Sequence, residues 1–170
     1  MQYLIILIIA FIFYIIWKYW TLLIGAGYDP TPTKYVCRML ELAEINEDDI
    51  VYDLGSGDGR ILIAAARVYG ARAVGIEADP SRFIYSWLNI LVSGQVKRAR
   101  VRFGNLFKKN ISDATIVTLF LFGPTNNRLK DKLLRELKPG TRIVSYIWTF
   151  EGWEFAGCLP EDRMFLYVIK

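Results

Sequence analysis

The sequence predicts an α/β fold of the doubly wound, Rossmann-like class, with a mostly parallel sheet and an antiparallel last strand. Short apolar runs alternate with amphipathic segments, and a glycine-rich turn follows the first of these runs. A long apolar segment precedes this pattern. The expected organisation is a helix within residues 1–25, followed by one α/β domain in residues 26–170.

The N-terminal segment is almost entirely apolar. The stretch from Tyr3 to Ile24 reaches about 20 residues, which is enough to cross the hydrocarbon core of a bilayer. Aromatic rings and Lys18 gather near its C-terminal end, where such side chains prefer the membrane interface. We expect a transmembrane helix. The alternatives are a cleaved signal peptide, which would need a basic stretch before the apolar run, and a buried or interfacial helix.

The orientation of that helix follows from the distribution of charge. Lys18, Lys34 and Arg38 follow the apolar core and no basic side chain precedes it. The positive-inside rule therefore predicts a single-pass membrane protein whose C-terminal domain faces the cytoplasm.

The rest of the chain reads as alternating helices and strands. Thr33 is expected to cap the first helix, Gly70 to end the second and Asp79 to cap the third, with Pro80 at its first position. Strands are expected at residues 50–54, 72–78, 99–103, 114–122, 141–148 and 164–169.

The glycine-rich turn, DLGSGDGR at residues 53–60, carries the strongest functional signal. Gly55 and Gly57 would let the backbone approach a ligand at the carboxyl edge of the sheet. Glu77 ends the second strand about 20 residues later, where a carboxylate can accept hydrogen bonds from both ribose hydroxyls. Turn glycines alone would be weak evidence, but their combination with Glu77 predicts a nucleoside cofactor.

The details of this turn decide which cofactor is expected. A dinucleotide fingerprint has a third glycine at the position where this chain has Arg60. Asp53 and Asp58 would repel a pyrophosphate, whereas a carboxylate beside the ammonium group of a methionine moiety is stabilising. The turn therefore favours S-adenosylmethionine over a nicotinamide cofactor.

Several motifs resemble those of class I S-adenosylmethionine-dependent methyltransferases: DLGSGDGRILIAAA, GIEADPSR and LKPGTR. More narrowly, YDPTP before a helix, GNLF, and ATIVTLFLF before an amphipathic helix resemble small protein-lysine methyltransferases. These are the archaeal broad-specificity enzymes and the membrane-anchored mitochondrial enzymes that modify the c-ring protein of ATP synthase or the adenine nucleotide translocase. The resemblance covers residues 28–168.

The resemblance also implies roles for individual residues. Glu77 would bind the ribose and Asn105, in the loop after the third strand, the adenine amine. Two residues would close over the cofactor from the N-terminal side: Thr31 and Pro32. Four would hold its methionine end: Asp53, Gly55, Ser56 and Gly57. Three would line the methyl-transfer end: Phe120, Leu121 and Phe122. The family often has a longer tail after the fifth strand, so the substrate-facing rim of this chain is reduced.

The chain contains no histidine, which excludes the common histidine-dependent nucleophilic mechanisms. Its two cysteines lack metal-ligand spacing, and no metal site is expected. Methyl transfer to a lysine suits this composition, because a desolvated amine loses its proton without a histidine base. The prediction is therefore a protein-lysine N-methyltransferase acting on membrane or membrane-adjacent proteins. The alternatives are methylation of a lipid, quinone or small hydrophobic molecule, and a tethered module that binds the cofactor without catalysis.

Two further groups of side chains have more than one interpretation. A basic group suggests a solvated edge strand, an anionic lipid surface or, less favourably, nucleic acid; it comprises Lys97, Arg98, Arg100, Arg102, Lys108 and Lys109. An aromatic group near the C-terminus suggests either packing or a slot for an amine or a methylated amine; it comprises Trp148, Phe150, Trp153 and Phe155.

Overall fold

The computed structural model describes residues 2–24 and 30–170, excepting the side chains of residue 13 and of residues 16–24. Five α-helices lie in these ranges: α1 (Gln2–Ile24), α2 (Thr33–Leu42), α3 (Arg60–Tyr69), α4 (Pro80–Val92) and α5 (Gly123–Glu136). Seven strands accompany them: β1 (Ile50–Leu54), β2 (Arg72–Glu77), β3 (Ala99–Phe103), β4 (Ile116–Leu119), β5 (Arg142–Tyr146), β6 (Gly157–Leu159) and β7 (Met164–Val168).

The seven strands form one sheet in the order β3-β2-β1-β4-β5-β7-β6. The first five strands along the chain are parallel, and β7 runs antiparallel to both β5 and β6. The reversal of strand order between β1 and β4 is the switch point at which doubly wound sheets bind ligands beyond the carboxyl ends of their strands.

The sheet has a buried apolar layer on each face. Val51 and Ile116 face one layer, to which α3 contributes Leu62. The neighbouring positions in sequence, Tyr52 and Val117, face the other layer, which α5 covers. This alternation along each strand buries both faces and explains why the central strands are apolar throughout.

The helix ends follow the predicted chemistry in two of three places. The Asp79 carboxylate caps α4 by accepting hydrogen bonds from the backbone N–H groups of Ser81 and Arg82. Gly70 ends α3 in the left-handed conformation, with φ of 69°. The expectation for Thr33 is wrong by one residue, since Thr33 is the first helical residue and Pro32 precedes it without a side-chain cap.

Two features of the sheet differ from the expected pattern. The predicted fourth strand is shorter than its apolar run, because the chain leaves the sheet after Leu119 and starts α5 at Gly123. β6 was not predicted, as its three half-buried residues carry no clear alternation. The connection from β3 to β4 is a loop, residues 104–115, in place of a helix.

Two expectations for the N-terminal segment are wrong: the transmembrane helix, and with it the single-pass membrane location with the C-terminal domain facing the cytoplasm. Among the residues described, no helix combines the length and the apolar character needed to cross a bilayer. The expectations for Lys18 and for the aromatic rings of Trp17, Tyr19 and Trp20 concern side chains outside the described residues, and the expected boundary at residues 25 and 26 lies outside them too.

Candidate active site

The carboxyl ends of the four parallel strands β1, β2, β4 and β5 meet at one edge of the sheet. Asp53 lies opposite Gly75 of β2 and Thr118 of β4. Glu77 ends β2 beside them, and the segment after β4 begins at Phe120. The strand register thus brings Asp53 close to Phe120, although the two residues are 67 positions apart in sequence.

The glycine-rich turn is bent back onto the end of β2. The backbone N–H groups of Gly55 and Ser56 both donate to the carbonyl of Ile76, at 2.9 and 3.1 Å. Gly55 has φ of 86°, a left-handed conformation that favours glycine, and it is exposed at the sheet edge. The Ser56 hydroxyl instead points at Gly75, so a contact between Ser56 and a ligand at this edge would come from its backbone.

Glu77 holds the same turn through its side chain. One carboxylate oxygen accepts from the Gly57 N–H at 2.8 Å, and the other accepts from the N–H groups of Ala78 and Asp79 at 3.0 and 2.9 Å. Burial raises the pKa of this carboxyl, and the three N–H groups and Arg82 oppose the rise. The link between Glu77 and Gly57 orders the turn against the end of β2, a contact that sequence spacing alone did not predict.

Asp53 is a buried acid whose charge is poorly compensated. Its carboxylate accepts a hydrogen bond from the Thr118 hydroxyl at 2.9 Å. Desolvation by burial raises the pKa of Asp53 to about 7, and the negative charges of Glu77 and Asp58 add to the rise. A cationic ligand group at this edge would favour the carboxylate form.

Asp58 is already paired within the chain. The Arg60 guanidinium donates to both of its oxygens, with distances from 2.6 to 3.1 Å. Burial would raise the pKa of Asp58, but the bonds from Arg60 hold it below its usual value. Asp53 is therefore better placed than Asp58 to compensate a ligand cation. Of the two carboxylates, Asp53 is the expected partner of the cofactor's ammonium group.

Arg60 also fastens the segment before α2 to the turn. Its Nη1 donates to the backbone carbonyl of Thr31 at 2.7 Å. Thr31 is buried against the turn, while Pro32 is exposed. That Thr31 and Pro32 close over the cofactor stays a prediction. This hydrogen bond joins residues that are 29 positions apart in sequence, and the spacing of the glycine-rich turn did not predict it.

Replacing Arg60 with lysine is expected to loosen this segment, because a single ammonium cannot bond Asp58 and Thr31 in the forked geometry of the guanidinium. Limited proteolysis of the cofactor-free protein should cleave near residues 30–35 at least several-fold faster than in the wild type. Arg135→Lys is the matched control, since that arginine is exposed on α5. Equal cleavage rates in Arg60→Lys and wild type would contradict the fastening role.

Asn105 lies where the sequence placed it, in the loop after β3. Its side-chain oxygen accepts from the Phe107 N–H at 2.9 Å, which is ordinary turn chemistry. The preceding residue, Gly104, donates its N–H to the carbonyl of Glu77 at 2.8 Å, so the loop adjoins the end of β2. The adenine contact of Asn105 stays a prediction.

An aromatic wall stands at the ends of β4 and β5, formed by Tyr35, Phe120 and Tyr146. The rings of Phe120 and Tyr146 meet edge to face with centroids 4.6 Å apart, and Tyr35 lies 5.4 Å from Tyr146. Leu121 adjoins Gly55, since a Cβ on that glycine would lie 3.1 Å from the Leu121 side chain. Tyr35 and Tyr146 were not predicted from the sequence, where their only signal was their position at a helix start and a strand end.

The C-terminal aromatic group does not form one slot. Phe150 is buried and packs on Trp153 and Tyr167, with centroids 4.8 and 5.1 Å apart. Trp148 instead faces Phe122 beside the active-site edge, at 6.1 Å, and Phe155 packs on Phe165. Within the described residues, no group of histidine, cysteine or acidic side chains could hold a metal ion.

Comparison with known proteins identifies the fold and its chemistry. Residues 53–156 match the family model described as the ANTKMT methyltransferase domain. The chain belongs to this family of methyltransferases. A protein-lysine N-methyltransferase of Saccharolobus islandicus is 50% identical over 127 residues, which are 74% of this chain and 79% of that protein. The human lysine N-methyltransferase of the ATP synthase c-ring protein is 32% identical over 124 residues, 73% of this chain and 52% of that enzyme.

The methyltransferase is also similar to a solved structure. A protein of Salinibacter ruber, described as an RNA methyltransferase in complex with S-adenosyl-L-homocysteine, is 43% identical with a TM-score of 0.80. The match covers 83% of this chain and 94% of that one. The chain thus spans most of the two microbial relatives but about half the length of the human one. The methyltransferase falls among the protein-lysine N-methyltransferases of its family, and S-adenosylmethionine is its methyl donor.

Proposed function

We propose that the methyltransferase transfers the methyl group of S-adenosylmethionine to the ε-amine of a lysine in a protein substrate. The observation that carries this proposal is the aromatic wall of Tyr35, Phe120 and Tyr146 beside the glycine-rich turn. Ring faces attract an ammonium or a methylated ammonium by cation–π interaction. The Nζ of Lys34, the residue next to Tyr35 in sequence, lies 4.5 Å from the centre of the Tyr35 ring.

The proposed division of labour follows the sheet edge. Glu77 binds the ribose, Asn105 the adenine, and Phe120, Leu121 and Phe122 line the methyl-transfer end. The N-terminal side is closed by Thr31 and Pro32. The methionine end is held by Asp53, Gly55, Ser56 and Gly57. The buried acid at Asp53 and the exposed backbone of Gly55 suit a ligand that carries an ammonium group.

The chain's part in the reaction is alignment and desolvation. The bound cofactor supplies an activated methyl group on a sulfonium. The aromatic wall holds the lysine side chain in line and excludes water from it. Desolvation lowers the pKa of the lysine, which must be neutral to attack, and its proton leaves to solvent. A histidine base is not required for these steps.

Cofactor affinity is expected to rise as the pH increases from about 5.5 to about 7, because Asp53 must ionise to pair with the ammonium group. Its pKa of about 7 in the free protein means that binding below this pH releases a proton. Calorimetry in two buffers of different ionisation enthalpy measures that release. Asp53→Asn should remove most of the proton release and weaken binding at pH 7.

The same group predicts how the cofactor-free protein responds to pH. The pKa of Asp53 is higher in the folded state, at about 7, than its ordinary value of 3.8, so the native state binds the extra proton. The contribution of Asp53 to stability therefore falls as the pH rises between these values. Asp131→Asn, at an exposed acid of α5, is a control for general charge effects. A pH-independent difference between Asp53→Asn and wild type would contradict this account.

Labelled S-adenosylmethionine tests the proposed function. The full chain is incubated with membranes and cytosol of the source cells, which are then separated into protein hydrolysate, lipid extract and RNA. Label in methylated lysine supports the proposal, and label in membrane proteins would support a membrane-adjacent substrate. Label in lipid or in RNA alone would reject it. Gly55→Arg serves as the control for cofactor-dependent transfer.

A further inference from the structure

A second pair of aromatic rings adjoins the aromatic wall on its exposed side. Phe122 lies two residues beyond Phe120, and Trp148 lies two residues beyond Tyr146. The rings of Phe122 and Trp148, here named the outer pair, meet edge to face with centroids 6.1 Å apart. Tyr146 is buried and Phe120 half-buried, whereas Phe122 is 45% and Trp148 39% exposed. The outer pair therefore lies where the wall opens to solvent.

The backbone at Trp148 is held in an unusual conformation. The preceding residue, Ile147, has φ of 68°, a left-handed conformation that β-branched residues rarely adopt. The Ile147 N–H donates to the carbonyl of Arg163 at 2.7 Å, and the Trp148 N–H donates to the carbonyl of Tyr146 at 2.9 Å. Strained conformations persist only where the surrounding structure determines them, and they are frequent in functional sites.

Buried polar side chains fix the carbonyl of Trp148 as well. The Asn126 amide donates to it at 3.1 Å, and the Ser145 hydroxyl also donates to it. Asn126 and Ser145 are both completely buried. A Cβ on Gly123 would lie 3.4 Å from the Trp148 ring, so this ring rests against the first residue of α5. An exposed ring that is fixed in this way loses little conformational entropy when it binds a ligand.

We propose that Phe122 and Trp148 bind an apolar side chain next to the target lysine of the protein substrate, an inference that rests on the proposed function. The lysine amine must reach the aromatic wall. The residues beside that lysine in the substrate chain then come to the outer pair, which adjoins the wall at its exposed end. Contact between an aliphatic side chain and the two exposed rings removes apolar surface of both partners from water.

The lack of charge around the outer pair favours an apolar neighbour. Residues 114–127, which include Phe122, and residues 143–150, which include Trp148, contain no charged side chain. An acidic residue beside the lysine would lose water there without gaining a counter-charge. A nucleic-acid base would stack on Trp148, but these two segments offer its phosphates no basic side chain. The chemistry therefore favours a peptide with an aliphatic residue beside its lysine.

Fluorine NMR tests this binding without methyl transfer. The full chain is labelled with fluorinated tryptophan and saturated with S-adenosyl-L-homocysteine, and Trp148→Phe assigns the Trp148 resonance among the five tryptophans. The probes are two short glycine-rich peptides with one lysine each, which has leucine on both sides in the first and serine on both sides in the second. We expect the leucine peptide to move the Trp148 resonance at about fivefold lower concentration than the serine peptide. The resonance of Trp153, which packs on Phe150, should not move.

Kinetics with the same peptides supply a second measurement. Trp148→Ala should raise KM for the leucine peptide about fivefold and leave kcat within about twofold, because the outer pair binds the substrate beside the reacting amine. KM for the serine peptide should change little. Trp87→Ala is the matched control, because Trp87 is 52% exposed on the outward side of α4, which packs on β3 at the other end of the sheet. Cofactor binding by calorimetry verifies that both variants are folded.

Two results separate peptide binding from methyl transfer. If the leucine peptide moves the Trp148 resonance but its lysine is never methylated, binding by the outer pair is supported and the proposed function is rejected. If both peptides are methylated with equal KM, or if Trp148→Ala leaves KM unchanged, the role of the outer pair is overturned and the proposed function stands. A Trp148 resonance that moves with neither peptide, or that responds to oligouridine at lower concentration, would also overturn that role.

Discussion

Replacing Glu77 with alanine is expected to weaken S-adenosylmethionine binding about 100-fold or more. The variant loses a charged acceptor for two ribose hydroxyls, each bond worth about 1.5–3 kcal/mol. It also releases the Gly57 N–H that Glu77 holds at 2.8 Å, so the turn is less ordered before the ligand arrives. Isothermal calorimetry measures the change directly.

Two controls separate the ribose contact from the loss of order. Glu77→Gln keeps an oxygen that can accept the Gly57 N–H, and it should bind the cofactor more tightly than Glu77→Ala but less tightly than wild type. Glu47→Gln removes an exposed carboxylate from the loop before β1, and it should leave affinity unchanged. Wild-type affinity in Glu77→Ala would show that the ribose is bound elsewhere.

A valine at position 75 is expected to destabilise the fold by about 3 kcal/mol or more. A Cβ on Gly75 would lie 2.4 Å from the Ser56 Oγ, 2.6 Å from the Ser56 Cβ and 2.6 Å from a Leu62 methyl group. Overpacking of this kind displaces backbone, here the glycine-rich turn itself. For a chain of this size the melting temperature should fall by about 10 °C, and cofactor binding should weaken with it.

A second strand glycine provides the control for Gly75→Val. Gly157 of β6 has ordinary backbone geometry. A Cβ added to it would lie 3.6 Å from the nearest atom, a methyl group of Leu166. Gly157→Ala should therefore change the melting temperature little. Thermal unfolding followed by circular dichroism compares the three proteins. A stable Gly75→Val that binds the cofactor normally would show that the turn does not depend on this close contact.

Local sequence patterns predicted the parts of the site that local structure determines. A strand precedes Gly55, a helix follows it, and Glu77 ends the next strand about 20 residues later. This pattern predicted that the glycine-rich turn and the Glu77 carboxylate meet at one edge of the sheet, because parallel strands end at the same side. The cap at Asp79 was also predictable, because it depends only on contacts with the next three residues.

Contacts between distant segments were beyond such patterns. The Arg60 bond to Thr31 and the contact of Tyr35 with Tyr146 join parts of the chain whose approach depends on the folded sheet. The transmembrane prediction rested on the apolar segment from Tyr3 to Ile24, and it was wrong, since the described residues contain no helix that is long and apolar enough to cross a bilayer. The outward side of α4 was also missed, since a helical period of apolar residues does not say which side faces the core.

The Arg60 guanidinium is shared between two parts of the chain. It pairs with Asp58 within the glycine-rich turn and donates to the Thr31 carbonyl in the segment before α2. A ligand that orders the turn is therefore expected to order Thr31 as well, although 29 positions separate Arg60 from Thr31 in sequence.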